Sequence, residues 1–251
     1  MKFNREFANQ IIDDLINCVD TASKEIMQIY NSGNFEMIDK ADGSPLTLAD
    51  KASNQIITEG LKKITPDIAV ISEETFEDTI LKALPNLYWL VDPLDGTREF
   101  INKNDEFTVN IALIEDRKPV FGIVAAPVFE KCWHGSIFDN YHSDMSIPDV
   151  LRIVMSKSHK SDNDKSFLNF LNEKGVNYEI IEKGSSLKLC AIADNEADIY
   201  PRFGPTSEWD IAAAHSVLNA YGGCVLKVDD FSDLSYSKKE SILNPYFICM
   251  R

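Results

Sequence analysis

The sequence WLVDPLDGTREF at residues 89–100 decides how this chain folds and what chemistry it carries. The apolar run at 87–91 predicts a buried strand, and the chain is expected to turn sharply where that strand ends. Two aspartates lie in this turn, where Pro93 fixes a backbone angle and Gly96 permits a close approach. Carboxylates three residues apart, followed by Gly-Thr, suit a divalent cation beside a phosphate held by backbone N–H groups. An ordinary Asp-Pro turn is the alternative.

The composition is that of an ordinary globular protein, with 251 residues, 44% of them hydrophobic and 26% charged. This length allows one large α/β domain or two closely joined halves. The formal net charge of −15 argues against binding to a nucleic acid polymer or to anionic lipid. A phosphate substrate would therefore need cations bound at the site.

Five cysteines are scattered along the chain without a C-x-x-C pair, which favours reduced thiols over a disulfide framework or a zinc site. The amino terminus has no continuous apolar segment, and no run of about 18 apolar residues occurs anywhere. We therefore expect a cytoplasmic protein without a signal peptide or a transmembrane segment. Peripheral association with the inner face of the cell membrane is left open, as is a homodimer.

Apolar residues recur at steps of three and four from Phe3 to Ile29, which predicts one long amphipathic helix ending near 31–33. A short strand is expected at 35–38. The next turn feeds a second helix that runs to about Leu61. Asp50 lies in its first turn, where an acidic residue stabilises a helix without any catalytic role.

Glu73 and Glu74 follow a second apolar run at 68–71. Two strands that each end in carboxylates can bring them to one sheet edge, where α/β folds usually place their sites. The alternative is a pair of solvated glutamates.

Later segments predict an antiparallel hairpin at 107–114 and 119–127, and then an alternation of strand and helix over 150–203. A polar stretch suggests two units, 1–145 and 146–251. A helix rich in small residues spans 208–218, and Asp210 in its first turn is again open to a purely stabilising interpretation.

Taken together and in this order, four motifs resemble those of the inositol monophosphatase superfamily: DGSPLTLAD at 42–50, SEE at 72–74, DPLDGT at 92–97, and Trp209-Asp210 with Gly222-Gly223 downstream. Further segments resemble the bacterial 3'(2'),5'-bisphosphate nucleotidase branch: TREFI at 97–101, EFTVN at 106–110, Ser156-x-Ser158-His159, GSSLK at 184–188 and YPRFGPT at 200–206. The resemblance covers nearly the whole chain.

This resemblance implies an α/β (α+β) fold, a layered α/β/α/β/α sandwich, and a Mg²⁺-dependent, lithium-sensitive phosphomonoesterase. It implies that Glu73, Asp92 and the Leu94 carbonyl bind one Mg²⁺, and that Asp92, Asp95 and Asp210 bind a second. Hard oxygen ligands of this kind suit Mg²⁺, and two ions can grip the attacking and leaving oxygens. A third ion is left open.

The resemblance also implies that Asp50, Thr97 and Glu73 are catalytic, with the Thr97 hydroxyl and the Asp50 carboxylate orienting the attacking water. The implied substrate is a small nucleotide bisphosphate. Lys188, Arg202 and Ser185 would meet its phosphates, and His159 would lie near the base. The full set of expected substrate contacts is Glu73, Leu94, Asp95, Gly96, Thr97, His159, Ser185, Lys188, Arg202 and Asp210.

The expected reaction removes the 3'-phosphate of adenosine 3',5'-bisphosphate, and of its sulfated form as an open extension. An inositol monophosphatase or another sugar-phosphate phosphatase is the alternative within the superfamily. A non-catalytic phosphate-binding protein on the same fold is the alternative outside it.

Overall fold

The amino-terminal apolar repeat forms helix α1 (Arg5–Ser32), as predicted. The computed structural model describes residues 2–40, 43, 45–141, 148–156 and 161–251. Asn4 caps the helix by accepting a hydrogen bond from Phe7 N at 2.9 Å, and Gly33 ends it in the left-handed conformation with φ 72°. Because glycine has no Cβ, it adopts this conformation without strain.

Helix α2 (Leu48–Ile64) packs against α1. Between them lies a short antiparallel pair, β1 (Ile38–Asp39) and β2 (Pro45–Leu46). The predicted strand at 35–38 is therefore wrong except at its last residue. Phe35 instead packs its ring 4.9 Å from that of Phe100, which ties this segment to the core rather than to a sheet.

The first sheet contains five strands in the order β3-β4-β5-β6-β7. Only β3 and β4 are parallel, and the remaining pairs are antiparallel. The hairpin predicted at 107–127 is confirmed as β5 and β6. The bounds are β3 (Ala69–Ser72), β4 (Leu87–Asp95), β5 (Thr108–Glu115), β6 (Lys118–Ala126) and β7 (Lys131–Ser136).

Strand β4 does not end at Val91, where the sequence predicts a sharp turn. It continues to Asp95, with a register shift against β5 between Asp92 and Asp95. A bulge of this kind inserts extra residues while the flanking pairs hold. The turn comes only at Gly96, whose φ of 93° precedes the short helix α3 (Thr97–Ile101). Asp92 and Asp95 are thereby held at the carboxyl end of a strand that is hydrogen-bonded within the sheet.

The second sheet has the order β11-β12-β10-β8-β9. Its strands are β8 (Leu151–Met155), β9 (Tyr178–Glu182), β10 (Ile199–Arg202), β11 (Cys224–Lys227) and β12 (Phe247–Met250), and it is joined through α4 (Asp162–Glu173) and α5 (Leu187–Ala193). The predicted alternation over 150–203 is confirmed. The sequence did not predict β11 and β12.

Helix α6 (Glu208–Ala220) packs on β4 to β7 of the first sheet and also contacts β11 of the second. A Cβ on Gly122 of β6 would lie 2.2 Å from the Ala213 carbonyl oxygen, so glycine permits this close approach. Helices α1 and α2 cover the other face of the first sheet, and the Leu171 and Phe167 side chains of α4 pack on the second. The predicted α/β/α/β/α layering is confirmed.

The division into 1–145 and 146–251 stays a prediction. One apolar core cluster crosses this boundary, since it includes both Tyr88 and Val154. Among the described helices, none combines the length and apolar character needed to cross a membrane.

Candidate metal and phosphate site

Three carboxylates converge at the ends of β3 and β4. Ser72 pairs with Val91 in parallel register, so Glu73, which follows the last residue of β3, is placed beside Asp92, which still pairs with Asn110 within β4. Asp210 approaches from the first turn of α6. One oxygen of each of these three residues lies within 4.8 Å of the others. The expected meeting of strand-end carboxylates is confirmed, and α6 supplies the third.

Burial and mutual repulsion raise the pKa values of this cluster. Asp92 is only 2% exposed, and its pKa lies well above its ordinary value because of burial and then because of the charge of Glu73. The pKa of Asp210 is raised by burial and by the nearby Asp95 carboxylate. Close carboxylates that disfavour each other's charge are stabilised by a shared cation. This set of hard oxygen donors fits Mg²⁺.

The side chain of Asp95 is fixed through hydrogen bonds to only one of its two carboxylate oxygens. Its Oδ2 accepts hydrogen bonds from Ser185 Oγ at 2.8 Å and from Ser186 N at 2.8 Å. Longer contacts to the same oxygen come from Asn110 Nδ2 at 3.4 Å and from Thr108 Oγ1 at 3.5 Å. Every hydrogen bond to Asp95 among the described residues thus ends on Oδ2, which leaves Oδ1 as the available ligand oxygen.

Asp50 performs the capping role and also contacts Thr97. Its Oδ2 accepts from Thr47 N at 2.7 Å and from Thr47 Oγ1 at 2.6 Å, which completes a capping box at the start of α2. Its Oδ1 accepts from Thr97 Oγ1 at 3.1 Å. Burial raises the pKa of Asp50. The purely stabilising interpretation is therefore correct but incomplete.

The backbone at the bulge is arranged around Leu94. Its N–H donates to Asp92 Oδ1 at 3.1 Å, and its carbonyl oxygen lies 3.3 Å from Thr97 Oγ1. A carbonyl has two lone pairs, so this oxygen keeps one for a metal ion. A Cβ on Gly96 would lie 3.1 Å from the Glu106 carbonyl oxygen, which explains why no side chain stands there.

A cavity of about 150 Å³ joins the carboxylates to the second half of the chain. Its lining includes Asp95, Gly96 and Asp210 together with Lys188 and Arg202. Ser185 also lines it. Of the other four predicted contacts, Glu73, Leu94 and Thr97 do not line this cavity, and His159 lies outside the described residues.

The two cations of this cavity are only partly satisfied. Burial lowers the pKa of Lys188 to about 8. Among the described residues, the Lys188 ammonium donates a hydrogen bond only to the Lys183 carbonyl oxygen, at 3.5 Å, and lies 5.6 Å from the centre of the Tyr200 ring. Arg202 donates from Nη2 to the Pro205 carbonyl oxygen at 2.9 Å, but its buried Nε has no hydrogen-bond partner in the part of the chain that the structure describes. A buried unpaired donor is costly, and an anionic ligand would relieve that cost.

Sequence reasoning missed Lys40. Its Nζ lies 2.8 Å from Glu73 Oε1 and 2.9 Å from Glu74 Oε1. Burial raises the pKa of Glu74 to about 7. No sequence signal marks Lys40, because it meets Glu73, which lies 33 residues later, only in the folded chain. Asn110 and Thr108 were also missed, although they belong to the EFTVN segment that carried part of the resemblance.

The chain is similar to known proteins along almost all of its length. The model of the inositol monophosphatase family matches residues 8–246. The 3'(2'),5'-bisphosphate nucleotidase CysQ of Salmonella typhimurium is 40% identical over 248 residues, covering 94% of this chain and 98% of that protein. CysQ of Buchnera aphidicola is 39% identical over 253 residues, covering 95% and 92%.

A solved structure agrees with these sequence matches. The crystal structure of CysQ from Bacteroides thetaiotaomicron has a TM-score of 0.83 and 33% identity, covering 94% of this chain and 95% of that one. The likeness spans both sheets.

Proposed function

Because this chain belongs to the inositol monophosphatase family, we propose that it hydrolyses the 3'-phosphate of adenosine 3',5'-bisphosphate to give AMP and inorganic phosphate. The same reaction on 3'-phosphoadenylyl sulfate gives adenylyl sulfate. One observation carries the proposal: a single cavity is lined both by Asp95 and Asp210, two of the proposed metal ligands, and by Lys188 and Arg202. A bisphosphate needs both groups, one for each of its phosphates.

Mg²⁺ ions are the proposed cofactors. Glu73, Asp92 and the Leu94 carbonyl would hold one ion, and Asp92, Asp95 and Asp210 would hold a second. When bound, the ions act as Lewis acids on the phosphate and acidify water. The raised pKa values of Asp92 and Asp210 support this assignment, because a buried carboxylate cluster without a cation is unfavourable. Whether a third ion binds is a question for titration.

Asp50 and Thr97 would position and deprotonate the attacking water. The Thr97 hydroxyl donates its hydrogen to Asp50 Oδ1, so its lone pairs accept a hydrogen from the water. As the water oxygen would bond to phosphorus and the P–O3' bond would break, the water proton would pass to Thr97 Oγ1, the Thr97 proton would pass to Asp50, and the leaving 3'-oxygen would take a proton from solvent. The raised pKa of Asp50 suits a base that receives a proton. Glu73, at the end of the neighbouring strand β3, would help to orient the attacking water.

Lys188 and Arg202 would bind the second phosphate. A guanidinium offers a rigid fork of donors and an ammonium offers a point charge, and a phosphate monoester supplies only acceptors to both. The unpartnered Nε of Arg202 supports this assignment. Lys188 faces the same cavity and is almost fully buried.

Two other functions are less well supported. An inositol or sugar monophosphate has no second phosphate for Lys188 and Arg202. A non-catalytic phosphate-binding protein has no use for the Asp50–Thr97 contact, which is intact here.

A substrate panel tests the proposal. With Mg²⁺ present, phosphate release is compared for adenosine 3',5'-bisphosphate, inositol 1-phosphate and fructose 1,6-bisphosphate. We expect the nucleotide to have the highest kcat/KM. In the Lys188→Gln/Arg202→Gln variant, kcat/KM for the nucleotide should fall about 100-fold, which corresponds to two contacts at about 1.4 kcal/mol each. The kcat/KM for inositol 1-phosphate should change little. Equal losses on both substrates would contradict the role of these cations.

A further inference from the structure

Ser185 has a backbone conformation that its residue type does not favour. Its φ is 50°, in the left-handed region. This conformation costs a residue with a Cβ roughly 1 kcal/mol, whereas glycine adopts it at almost no cost. Gly184 directly precedes it, so the loop already contains the residue that would fit without strain. Other non-glycine residues of the described chain also adopt positive φ, so the role of this serine is argued from the contacts of its hydroxyl.

That hydroxyl is fully engaged within the protein. Ser185 Oγ lies 2.8 Å from Asp95 Oδ2 and 2.6 Å from Thr108 Oγ1. An ionised carboxylate only accepts, so the single Ser185 hydrogen goes to Asp95. Thr108 then donates its own hydrogen to Ser185 at 2.6 Å rather than to Asp95 Oδ2 at 3.5 Å. Phosphate oxygens are acceptors too. Ser185 can donate to a phosphate only by releasing Asp95.

The neighbouring residue strengthens the same connection. Ser186 N donates to Asp95 Oδ2 at 2.8 Å, and Ser186 Oγ donates to the Asp210 carbonyl oxygen at 2.8 Å. Asn110 Nδ2 donates to Ser186 Oγ at 3.1 Å. One loop therefore touches Asp95, which lies 91 residues earlier than Ser186, and the backbone of Asp210, which lies 24 residues later.

We propose that Ser185 is a positioning residue for the metal ligand Asp95 rather than a contact of the substrate phosphate. The Thr108–Ser185–Asp95 chain of hydrogen bonds fixes the rotamer of Asp95 and keeps Oδ1 free for the ion. This inference rests on the proposed function, because it takes Asp95 as a ligand. It departs from the resemblance, which implies that Ser185 meets the substrate.

Metal binding without substrate separates the two roles. Mg²⁺ affinity is measured by isothermal titration calorimetry for the wild-type protein and for Ser185→Ala and Ser185→Gly. Removal of a hydrogen bond behind a metal ligand typically weakens affinity about 10- to 100-fold, and we expect about tenfold for both variants. Ala keeps the backbone strain and Gly relieves it, so equal losses assign the effect to the hydroxyl. Thr108→Val should give a smaller loss.

Thr206→Val is the matched control, because Thr206 lines the same cavity but makes no hydrogen bond to Asp95. Its Mg²⁺ affinity should equal that of the wild type. Unchanged affinity in both Ser185 variants, with a higher KM for the bisphosphate, would overturn the inference and restore the substrate role. Full recovery of affinity in Ser185→Gly alone would also overturn it, because loop conformation would then explain the effect.

The same titration keeps this inference distinct from the proposed function. If the wild-type protein binds no Mg²⁺, the proposed function fails and this inference fails with it. If the wild type binds Mg²⁺ and Asp95→Asn weakens binding while the Ser185 variants do not, the proposed function stands and only the inference fails. Circular dichroism of each variant verifies that the loss is not one of folding.

Discussion

The Thr97 hydroxyl donates a hydrogen bond of 3.1 Å to Oδ1 of Asp50, a residue whose other oxygen caps helix α2. The two residues lie 47 positions apart. The cap fixes the Asp50 side chain, because Thr47 N and Thr47 Oγ1 both hold Oδ2. The oxygen that remains is thereby aimed at Thr97. The Asp50 carboxylate therefore has two roles: Oδ2 completes the cap of α2, and Oδ1 accepts from Thr97, which we propose orients the attacking water.

Loss of the Thr97 hydroxyl should reduce the rate of phosphate release. Thr97→Val keeps the side-chain shape and removes the proton relay, so we expect kcat to fall about 100- to 1,000-fold. Neither Thr97 nor Asp50 is a proposed metal ligand, so Mg²⁺ affinity should stay within about twofold of wild type. Steady-state kinetics and calorimetry measure the two quantities. Thr97→Ser, which keeps the hydroxyl, should retain most of the rate. Equal rates for the Val and Ser variants would contradict the relay.

The carboxylate cluster should destabilise the protein when no metal is bound. Because the pKa of Asp92 is raised on folding, the folded state holds a proton that the unfolded state releases as pH rises above the ordinary value of 3.8. Stability without metal therefore falls as pH increases through this window. Asp92→Asn removes the charge and should raise the melting temperature in EDTA at pH 8 by roughly 2–8 °C, for about 1–2 kcal/mol.

Thermal unfolding followed by circular dichroism measures this effect. The advantage of Asp92→Asn should disappear near pH 4, and added Mg²⁺ should stabilise the wild type only. Asp13→Asn, on the exposed face of α1, is the control and should change nothing. If wild type and Asp92→Asn melt together in EDTA at every pH, the cluster does not carry the repulsion inferred here.

The affinity for the second phosphate should weaken at alkaline pH. Burial lowers the pKa of Lys188 to about 8, so its ammonium is charged below that pH and neutral above it. KM for adenosine 3',5'-bisphosphate should rise about tenfold between pH 7.5 and 9, because a neutral amine loses the charge-assisted contact. Lys188→Arg stays charged and should show a flatter profile of KM against pH. Superimposable profiles for the two proteins would exclude Lys188 as the titrating group.

A buried ion pair should hold the start of α6. Glu208 is fully buried and accepts from Ser237 N at 2.9 Å and from the Lys238 ammonium. Lys238→Met leaves that carboxylate without its cation, so the free energy of unfolding should fall by about 3 kcal/mol. Urea denaturation measures it. Lys239→Met, one residue away and exposed, should have little effect.

The double variant Glu208→Gln/Lys238→Met completes this test. Removal of both charges should recover a large part of the lost stability, because an unpaired buried charge is the main cost. If the double variant is as unstable as the sum of the single variants, the contribution comes from packing and not from the ion pair.

Local patterns predicted much of the fold. The three- and four-residue repeat was sufficient for α1, and the ends of two apolar runs were sufficient to bring Glu73 next to Asp92. These features depend on short stretches of chain, where side-chain period and turn residues act directly. The stabilising position of Asp50 in the first turn of α2 was predicted for the same reason.

Features that depend on distant pairing were not predicted. The bulge in β4 is defined by its register against β5, so the segment alone looked like a turn. Strands β11 and β12 are short, and they form only by pairing with each other and, through β12, with β10. Asp210 entered the site only by resemblance, since nothing local distinguishes it from a stabilising first-turn acid. The contacts of Ser185 and Lys40 needed the folded chain.

The identity of the product tests the central claim most directly. Adenosine 3',5'-bisphosphate is incubated with the protein and Mg²⁺, and the products are resolved by phosphorus NMR. We predict AMP with its phosphate at the 5' position and inorganic phosphate in equal amounts, and no reaction in EDTA. Formation of adenosine 3'-phosphate, or no release of phosphate with Mg²⁺, would contradict the proposed function.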